Sequence, residues 1–221
     1  MRYYPIFLDI KNKPCIVIGG GQVAERKVIS LLDAGAKVCV ISPEITPAIK
    51  KLALKKRVKL IQRAYKTADL KNSFLAYSAT NNKTVNQKVF QEAKKQGILL
   101  NIVDVPELCN FIVPSVVERG DLLLAISTSG KSPALAKKIR QQLEKKFGRE
   151  YAIFLKIMGF VRKSLLKKGM ESDKNKRIFE GLVDSRLIDL IKQNKKREIN
   201  SLLKKDVGSE FTLSKMKIRL G

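Results

Sequence analysis

The chain has 221 residues, 44% of them hydrophobic, enough for a real core in one to two domains, so it is not disordered. It carries 45 basic and 20 acidic residues, a net charge of +25, and no histidine, which excludes Ser-His-Asp and Cys-His catalysis, His-ligated zinc and imidazole bases. It has no 18-residue apolar stretch, and Met1 to Pro5 lacks the charged and apolar regions of a leader. A cytoplasmic protein with no membrane partner is therefore expected. Lysine runs such as Lys55-Lys56-Arg57 and Lys195-Lys196-Arg197 are read as solvated faces. The alternative for the basic field is nucleic acid, an anionic membrane or a multiply charged acidic substrate.

The first element is a short apolar run, Cys15 to Ile18, that breaks into Gly19-Gly20-Gly21 and opens a helix at Gln22-Val23-Ala24. The run suits a buried parallel strand, and Gly19 allows the tight turn out of it. Gly21 lets backbone amides approach a pyrophosphate at the positive end of the helix, and Ala24 permits close packing on the strand. Taken alone, Gly-x-Gly-x-x-Ala also fits a structural glycine turn. The flanks decide: Val23, Ala24, Lys27, Val28, Leu31 and Leu32 recur at helical spacing, Ala34-Gly35 closes the helix, and Lys37 to Ile41 is a second β-rich run. A dinucleotide cofactor is the expectation. The second run ends in Ser42-Pro43-Glu44, so no carboxylate stands directly at its tip; Ser42 or Glu44 could reach the ribose. No arginine follows for a 2′-phosphate, which favours NAD over NADP.

Further along, the pattern predicts a helix over Pro47 to Leu54 and strands over Val58 to Ile61 and Phe74 to Ala79. A helix over Lys83 to Gln96 is closed by Gly97, and a strand follows over Leu99 to Val103. Strands alternating with helices imply a parallel sheet covered on both faces. The tips at Ser78 to Asn81 and Asn101 to Asp104 then lie at carboxyl ends of strands, where ligands bind in such sheets. For Thr80 and Asn81, helix capping and cofactor contact both stand. Cys15 and Cys39 fall inside predicted strands and read as structural; Cys109 lies in a loop, with no histidine to activate it.

From Phe111 the pattern changes. Phe111 to Val117 and Leu122 to Ser127 flank a Glu118-Arg119-Gly120-Asp121 turn, an antiparallel pair in which Pro114 marks an edge or bulge. A hydroxyl-rich loop, Ser127-Thr128-Ser129-Gly130-Lys131-Ser132, leads into a helix from Pro133 to Phe147. Beyond Gly148 only helical stripes occur: Ile153, Phe154, Ile157, Met158 and Val161, then Leu187, Ile188, Leu190 and Ile191. This helical region is expected to fray after Asp206.

Jointly, several of these segments carry a resemblance. They are Tyr4 to Leu8, Gly19 to Lys27, Asn101-Ile102-Val103-Asp104, Leu108-Cys109-Asn110-Phe111-Ile112-Val113-Pro114-Ser115 and Ala125 to Pro133. Over roughly residues 4–145 the chain resembles the precorrin-2 dehydrogenase/sirohydrochlorin ferrochelatase module of siroheme synthases. The fold class this implies is α/β: an N-terminal Rossmann-like parallel sheet (1–110), a dimerisation segment with an antiparallel strand pair (111–148) and a C-terminal helical domain (149–221). The resemblance implies NAD-dependent oxidation of precorrin-2 to sirohydrochlorin, in many members ferrous iron insertion as well, and a homodimer whose exchanged segments build the site. Ferrous or cobaltous ion would enter as a substrate, and no metal-ligating residue is assigned.

By the same carry-over, Gln22, Val23, Pro43 and Glu44 contact NAD, Asp104 is the essential carboxylate, and Thr128 faces the tetrapyrrole cavity, with Asn101, Ser127 and Ser129 as further substrate-binding candidates. With no histidine in the chain, Asp104 is also the leading candidate base on chemical grounds, against the reading of a strand-end turn carboxylate. Val105 stands where relatives often carry a second acid, a departure that bears on metal or proton handling, and some single-module members dehydrogenate without chelating, so the resemblance implies oxidation more firmly than iron insertion. The chain leaves no room for the methyltransferase domain of longer siroheme synthases, so a separate uroporphyrinogen methyltransferase is expected upstream. The competing expectation is a non-catalytic NAD-sensing regulator whose basic helices bind nucleic acid or a protein partner. Such a sensor would not require the Asn101 to Asp104 tip or the hydroxyl-rich loop.

Overall fold

Side chains alternate strictly along β1 (Pro14–Ile18): Cys15 and Val17 enter one core, Ile16 and Ile18 another, and all four are buried. That two-sided burial is the mark of a central parallel strand, and it explains why the run is apolar throughout. The computed structural model describes residues 3–168 and 172–220. The chain forms two compact units that divide between Val113 and Pro114.

In the first unit β1, β2 (Lys37–Ile41), β3 (Lys59–Ile61), β4 (Leu75–Ser78) and β5 (Leu99–Ile102) form one sheet in the order β3-β2-β1-β4-β5. Every pairing is parallel. Helices α1 (Gln22–Asp33) and α2 (Pro47–Leu54) cover one face through Ala24, Val28, Leu31 and Ile49; α3 (Lys83–Gln96) covers the other through Val89 and Ala93. Local signals set the helix ends. The Thr46 hydroxyl accepts from the Ile49 N–H at 3.3 Å, and Gly97 closes α3 in the left-handed region at φ +67°. The cysteine thiols at 15 and 39 are pushed up in pKa by burial, Cys15 to about 11, as befits small core side chains.

In the second unit β6 (Ser115–Arg119) and β7 (Leu122–Ile126) pair antiparallel. The expected strand from Phe111 starts four residues later. Phe111 packs its ring edge-on against Tyr77 in the first unit, with centroids 5.7 Å apart, and Pro114 has no N–H to give to a ladder. The turn is also tighter than expected. Arg119 pairs with Leu122, leaving Gly120-Asp121 as a two-residue loop with Gly120 at φ +61°, the type II′ pattern. Helices α4 (Pro133–Lys146), α5 (Arg149–Lys167), α6 (Ser172–Asp184), α7 (Leu187–Lys192) and α8 (Lys196–Asp206) follow. The Arg119 guanidinium donates to the Glu144 and Phe147 carbonyls at 3.0 and 2.8 Å, capping the end of α4.

The expected fraying after Asp206 is wrong. Phe211 is 1% exposed and Leu213 fully buried, both packed into the core formed by Ile157, Val161, Leu182 and Leu203, and Asn200 Oδ1 accepts from the Leu213 N–H at 2.9 Å. Three apolar side chains at 211, 213 and 216 gain more from burial than the segment loses in entropy. No helix among the described residues is long and apolar enough to cross a membrane.

Candidate functional site

The sheet order reverses at β1: the chain builds outward through β2 and β3 on one side, then returns to place β4 and β5 on the other. The crevice at the carboxyl ends of β1 and β4 is therefore the topological switch point, where open α/β sheets bind ligands. The glycine turn occupies it. Gly19 sits at φ +112°, and a Cβ there would lie 2.3 Å from the Ala79 carbonyl oxygen, so only glycine lets the loops after β1 and β4 approach.

Gly20, which sequence reasoning did not single out as a site residue, is as constrained. Its Cβ would lie 2.0 Å from the Glu44 carbonyl oxygen, and its own carbonyl accepts from the Thr46 N–H at 2.9 Å. The available signal was the third glycine of the run. Gly21 differs from both: it is the N-cap of α1 at φ −78°, with no side-chain cap, and a Cβ there would meet nothing within 4 Å. Space and uncapped amides thus coincide at the positive end of α1, as a pyrophosphate requires. Gln22 is exposed and Val23 half-buried beside this opening, and Ala24 is fully buried below it.

At the end of β2, Ser42 is 6% exposed and donates its hydroxyl proton to the Glu44 carbonyl at 2.6 Å. It shapes the turn. Pro43 and Glu44 are exposed, and the Pro43 carbonyl accepts from Gln62 Nε2 at 3.4 Å. Of the two side chains considered for the ribose, Glu44 is the one that solvent reaches. At the end of β4 the cap of α3 is Asn82, whose Oδ1 accepts from the Val85 N–H at 3.0 Å. Thr80 Oγ1 accepts from the Asn82 N–H at 3.2 Å, and Asn81 is exposed. Buried Asn86, missed in the sequence, orders this tip: it accepts from the Ser78 hydroxyl at 2.7 Å and donates to the Thr80 carbonyl at 3.1 Å. No local pattern marks an asparagine inside a helix for that role.

Asp104 occupies the turn leaving β5, exposed, at φ +60°. A non-glycine residue in the left-handed region is uncommon, and aspartate tolerates it better than most. Asn101 Nδ2 donates to the Phe111 carbonyl at 3.1 Å, which ties β5 to the loop that passes beside it. On the α1 side of the sheet, the Lys27 ammonium lies 5.0 Å from the centre of the Tyr77 ring. Burial, with Arg26 adding to it, lowers the Lys27 pKa; burial, with Cys15 adding to it, pushes the Tyr77 phenol up to about 12. Sequence reasoning placed Lys27 on the helical stripe and gave it no partner.

The hydroxyl-rich loop belongs to the second unit. Ser127 Oγ accepts from the Ser129 N–H at 3.0 Å, Thr128 Oγ1 from the Ser132 N–H at 3.1 Å, and Ser132 Oγ caps α4 by accepting from the Leu135 N–H at 3.2 Å. These bonds use oxygen lone pairs, so each hydroxyl keeps a proton to donate. Ser129 at φ +53° and Gly130 at φ +81° give the loop its tight bend.

Comparison with known proteins follows the same division. An NAD(P)-binding family model matches residues 6–115, and the model of the central region of sirohaem biosynthesis proteins matches residues 119–146. The chain is 35% identical over 219 residues to a siroheme synthase of Vesicomyosocius okutanii, covering 96% of this chain and 47% of that protein. It is 37% identical over 206 residues to a siroheme synthase of Photobacterium profundum, covering 91% and 44%. The chain thus spans about half the length of the curated relatives it matches. The solved structure of SirC, precorrin-2 dehydrogenase, superposes with a TM-score of 0.77 at 27% identity, covering 92% of this chain and 100% of that one. A nicotinamide dinucleotide is the cofactor class that these matches assign to the first unit. With both its NAD(P)-binding and its central segment matched in order, the chain belongs to the siroheme synthase family.

Proposed function

We propose that this chain oxidises precorrin-2 to sirohydrochlorin with NAD as the hydride acceptor. The observation that carries the reading is the shared sheet edge. It holds an uncapped helix N-terminus with open space at Gly21 and, one strand beyond β4, the exposed carboxylate of Asp104. The cradle fits the cofactor, because the volume a Cβ would fill at Gly21 is the volume a pyrophosphate needs. When bound, the nicotinamide accepts the hydride.

The chain's own residues do the rest. Amides at Gly21, Gln22 and Val23 hold the pyrophosphate, Pro43 and Glu44 hold the adenosine ribose, and Thr80 and Asn81 line the β4 side. A Glu44 carboxylate repels a 2′-phosphate. Arg63, beside the same edge after β3, is already paired with Asp69 at 2.8 and 2.7 Å; both features support NAD over NADP.

Removing a hydride from a reduced tetrapyrrole leaves a cation that must shed a proton to complete the new double bond. Asp104 accepts that proton at its carboxylate. Asn101 and the hydroxyls of Ser127, Thr128 and Ser129 donate to the substrate's carboxylates. Val105 leaves Asp104 as the one carboxylate on the turn, which serves the oxidation. The working form is a cytoplasmic homodimer built from a dinucleotide domain (1–110), a dimerisation segment (111–148) and a helical domain (149–221). Exposed Val116 and Leu123 on the outer face of the β6–β7 hairpin support that assembly.

The purified protein, given precorrin-2 and NAD, is expected to produce NADH absorbance together with the sirohydrochlorin spectrum. Asp104→Asn should lower turnover about a hundredfold or more while NAD affinity holds. NAD binding with no turnover of fresh precorrin-2 would instead favour the NAD-sensing regulator.

A further inference from the structure

A single sulfur spans the turn that presents Asp104. Cys109 Sγ accepts the Ile102 N–H at 3.1 Å, and its own S–H faces the Ile102 and Val105 carbonyls, each at 3.3 Å. Ile102 is the last residue of β5 and Val105 the first after the turn, so the thiol holds both ends of Val103-Asp104. The next residue fixes the thiol in turn. Asn110 Oδ1 accepts from the Leu100 N–H at 2.7 Å and its Nδ2 donates to the Ile98 carbonyl at 2.9 Å, locking the loop against the outer edge of β5. Within this frame Asp104 keeps φ +60°, a conformation an aspartate leaves readily when nothing holds it.

We propose that Cys109 is a positioning residue for the Asp104 carboxylate: its thiol brackets the turn so that the carboxylate meets the substrate in one orientation. The inference rests on the reading of Asp104 as the base. Burial raises the thiol's pKa, which keeps the S–H in place as a donor at neutral pH. The role needs no thiolate, nucleophile or redox partner, which accounts for a loop cysteine in a chain without histidine. It also predicts that loss of the thiol slows proton removal without weakening either ligand, because general-base efficiency falls steeply with small displacements.

The test compares Cys109→Ala, Cys109→Ser and Asp104→Asn, singly and with Cys109→Ala combined with Asp104→Asn, by steady-state kinetics with precorrin-2 and NAD. Expected is a kcat about tenfold lower in Cys109→Ala with both KM values within about twofold of wild type. Serine, which keeps a donor and an acceptor, should recover most of the loss. In the Asp104→Asn background, Cys109→Ala should change the residual rate by less than about twofold, since the base it serves is gone. If alanine leaves too large a hole for folding, Cys109→Val fills the volume without the hydrogen bonds and carries the same expectation. Wild-type kcat in the alanine or valine variant, serine as slow as alanine, or a full tenfold loss on top of Asp104→Asn overturns the proposal. Unimpaired turnover in Asp104→Asn alone overturns instead the assignment of the base.

Discussion

Two adjacent glycines in the same turn need to be glycine for opposite reasons. At Gly20 the obstacle is the protein itself: a methyl group would sit 2.0 Å from the Glu44 carbonyl and 2.9 Å from Ile45 Cγ2, and neither is a flexible chain end. Gly20→Ala is therefore expected to push the loop after β2 aside and cost about 1–3 kcal/mol of stability. At Gly21 the space is empty and φ is −78°, a value any residue adopts, so Gly21→Ala should change stability by less than about 1 kcal/mol. The same methyl group would occupy the pyrophosphate volume, and NAD affinity should fall at least about tenfold. Thermal unfolding and NAD titration of the two variants separate the cases; a Gly21→Ala protein with wild-type NAD affinity would remove the pyrophosphate from this turn. The glycine turn was legible because its spacing is local. Gly20, Asn86 and Cys109 were not, because their partners at Glu44, Ser78 and Ile102 come together only through the fold.

The same divide between local and distant causes runs through the elements. The ends of α2 and α3 agree with the sequence expectation to the residue, since the threonine cap and first-turn proline of α2 and the left-handed glycine that closes α3 are local to the helix they bound. The start of β6 does not, because Phe111 to Pro114 has the apolar pattern of a strand but is drawn to β5 and Tyr77. β5 is an edge strand, and an unpaired edge leaves a row of amide and carbonyl groups exposed. Asn110 covers it with three bonds: its N–H donates to the Leu100 carbonyl at 3.1 Å, and its side chain accepts from the Leu100 N–H and donates to the Ile98 carbonyl. In this way an asparagine does the work of a further strand over two residues. Asn110→Ala removes both side-chain bonds and is expected to cost about 1–3 kcal/mol, read as a lower urea midpoint with an unchanged slope. Asn110→Asp keeps the acceptor for Leu100 but sets a carboxylate against the Ile98 carbonyl, and should be no more stable than alanine. An alanine variant with the wild-type midpoint would mean that water caps the β5 edge equally well.

Across the whole molecule the net charge is +25, and only the shape of the fold says where that field can act. At the sheet edge the positive helix N-terminus at Gly21 stands with the exposed carboxylates of Glu44 and Asp104, so the positive excess comes from the rest of the surface. The tetrapyrrole of the proposed reaction bears many carboxylates and is far more highly charged than NAD, so on that proposal the protein's field should act mainly on its encounter with the protein. Screening then offers a test: the Debye length shrinks from about 20 Å near 20 mM salt to about 7 Å near 200 mM, comparable to the distance over which an approaching ligand is steered. Over that range kcat/KM for precorrin-2 is expected to fall several-fold, carried by KM, with kcat and the KM for NAD nearly constant. Stopped-flow or initial-rate measurements at matched pH, with chloride and acetate compared at equal ionic strength, distinguish screening from a specific anion site: screening depends on ionic strength alone, whereas occupancy of a site differs between the two anions. A kcat/KM that does not respond to ionic strength would mean that the basic surface is only a solvated coat, and that the tetrapyrrole is recognised by contacts formed after encounter.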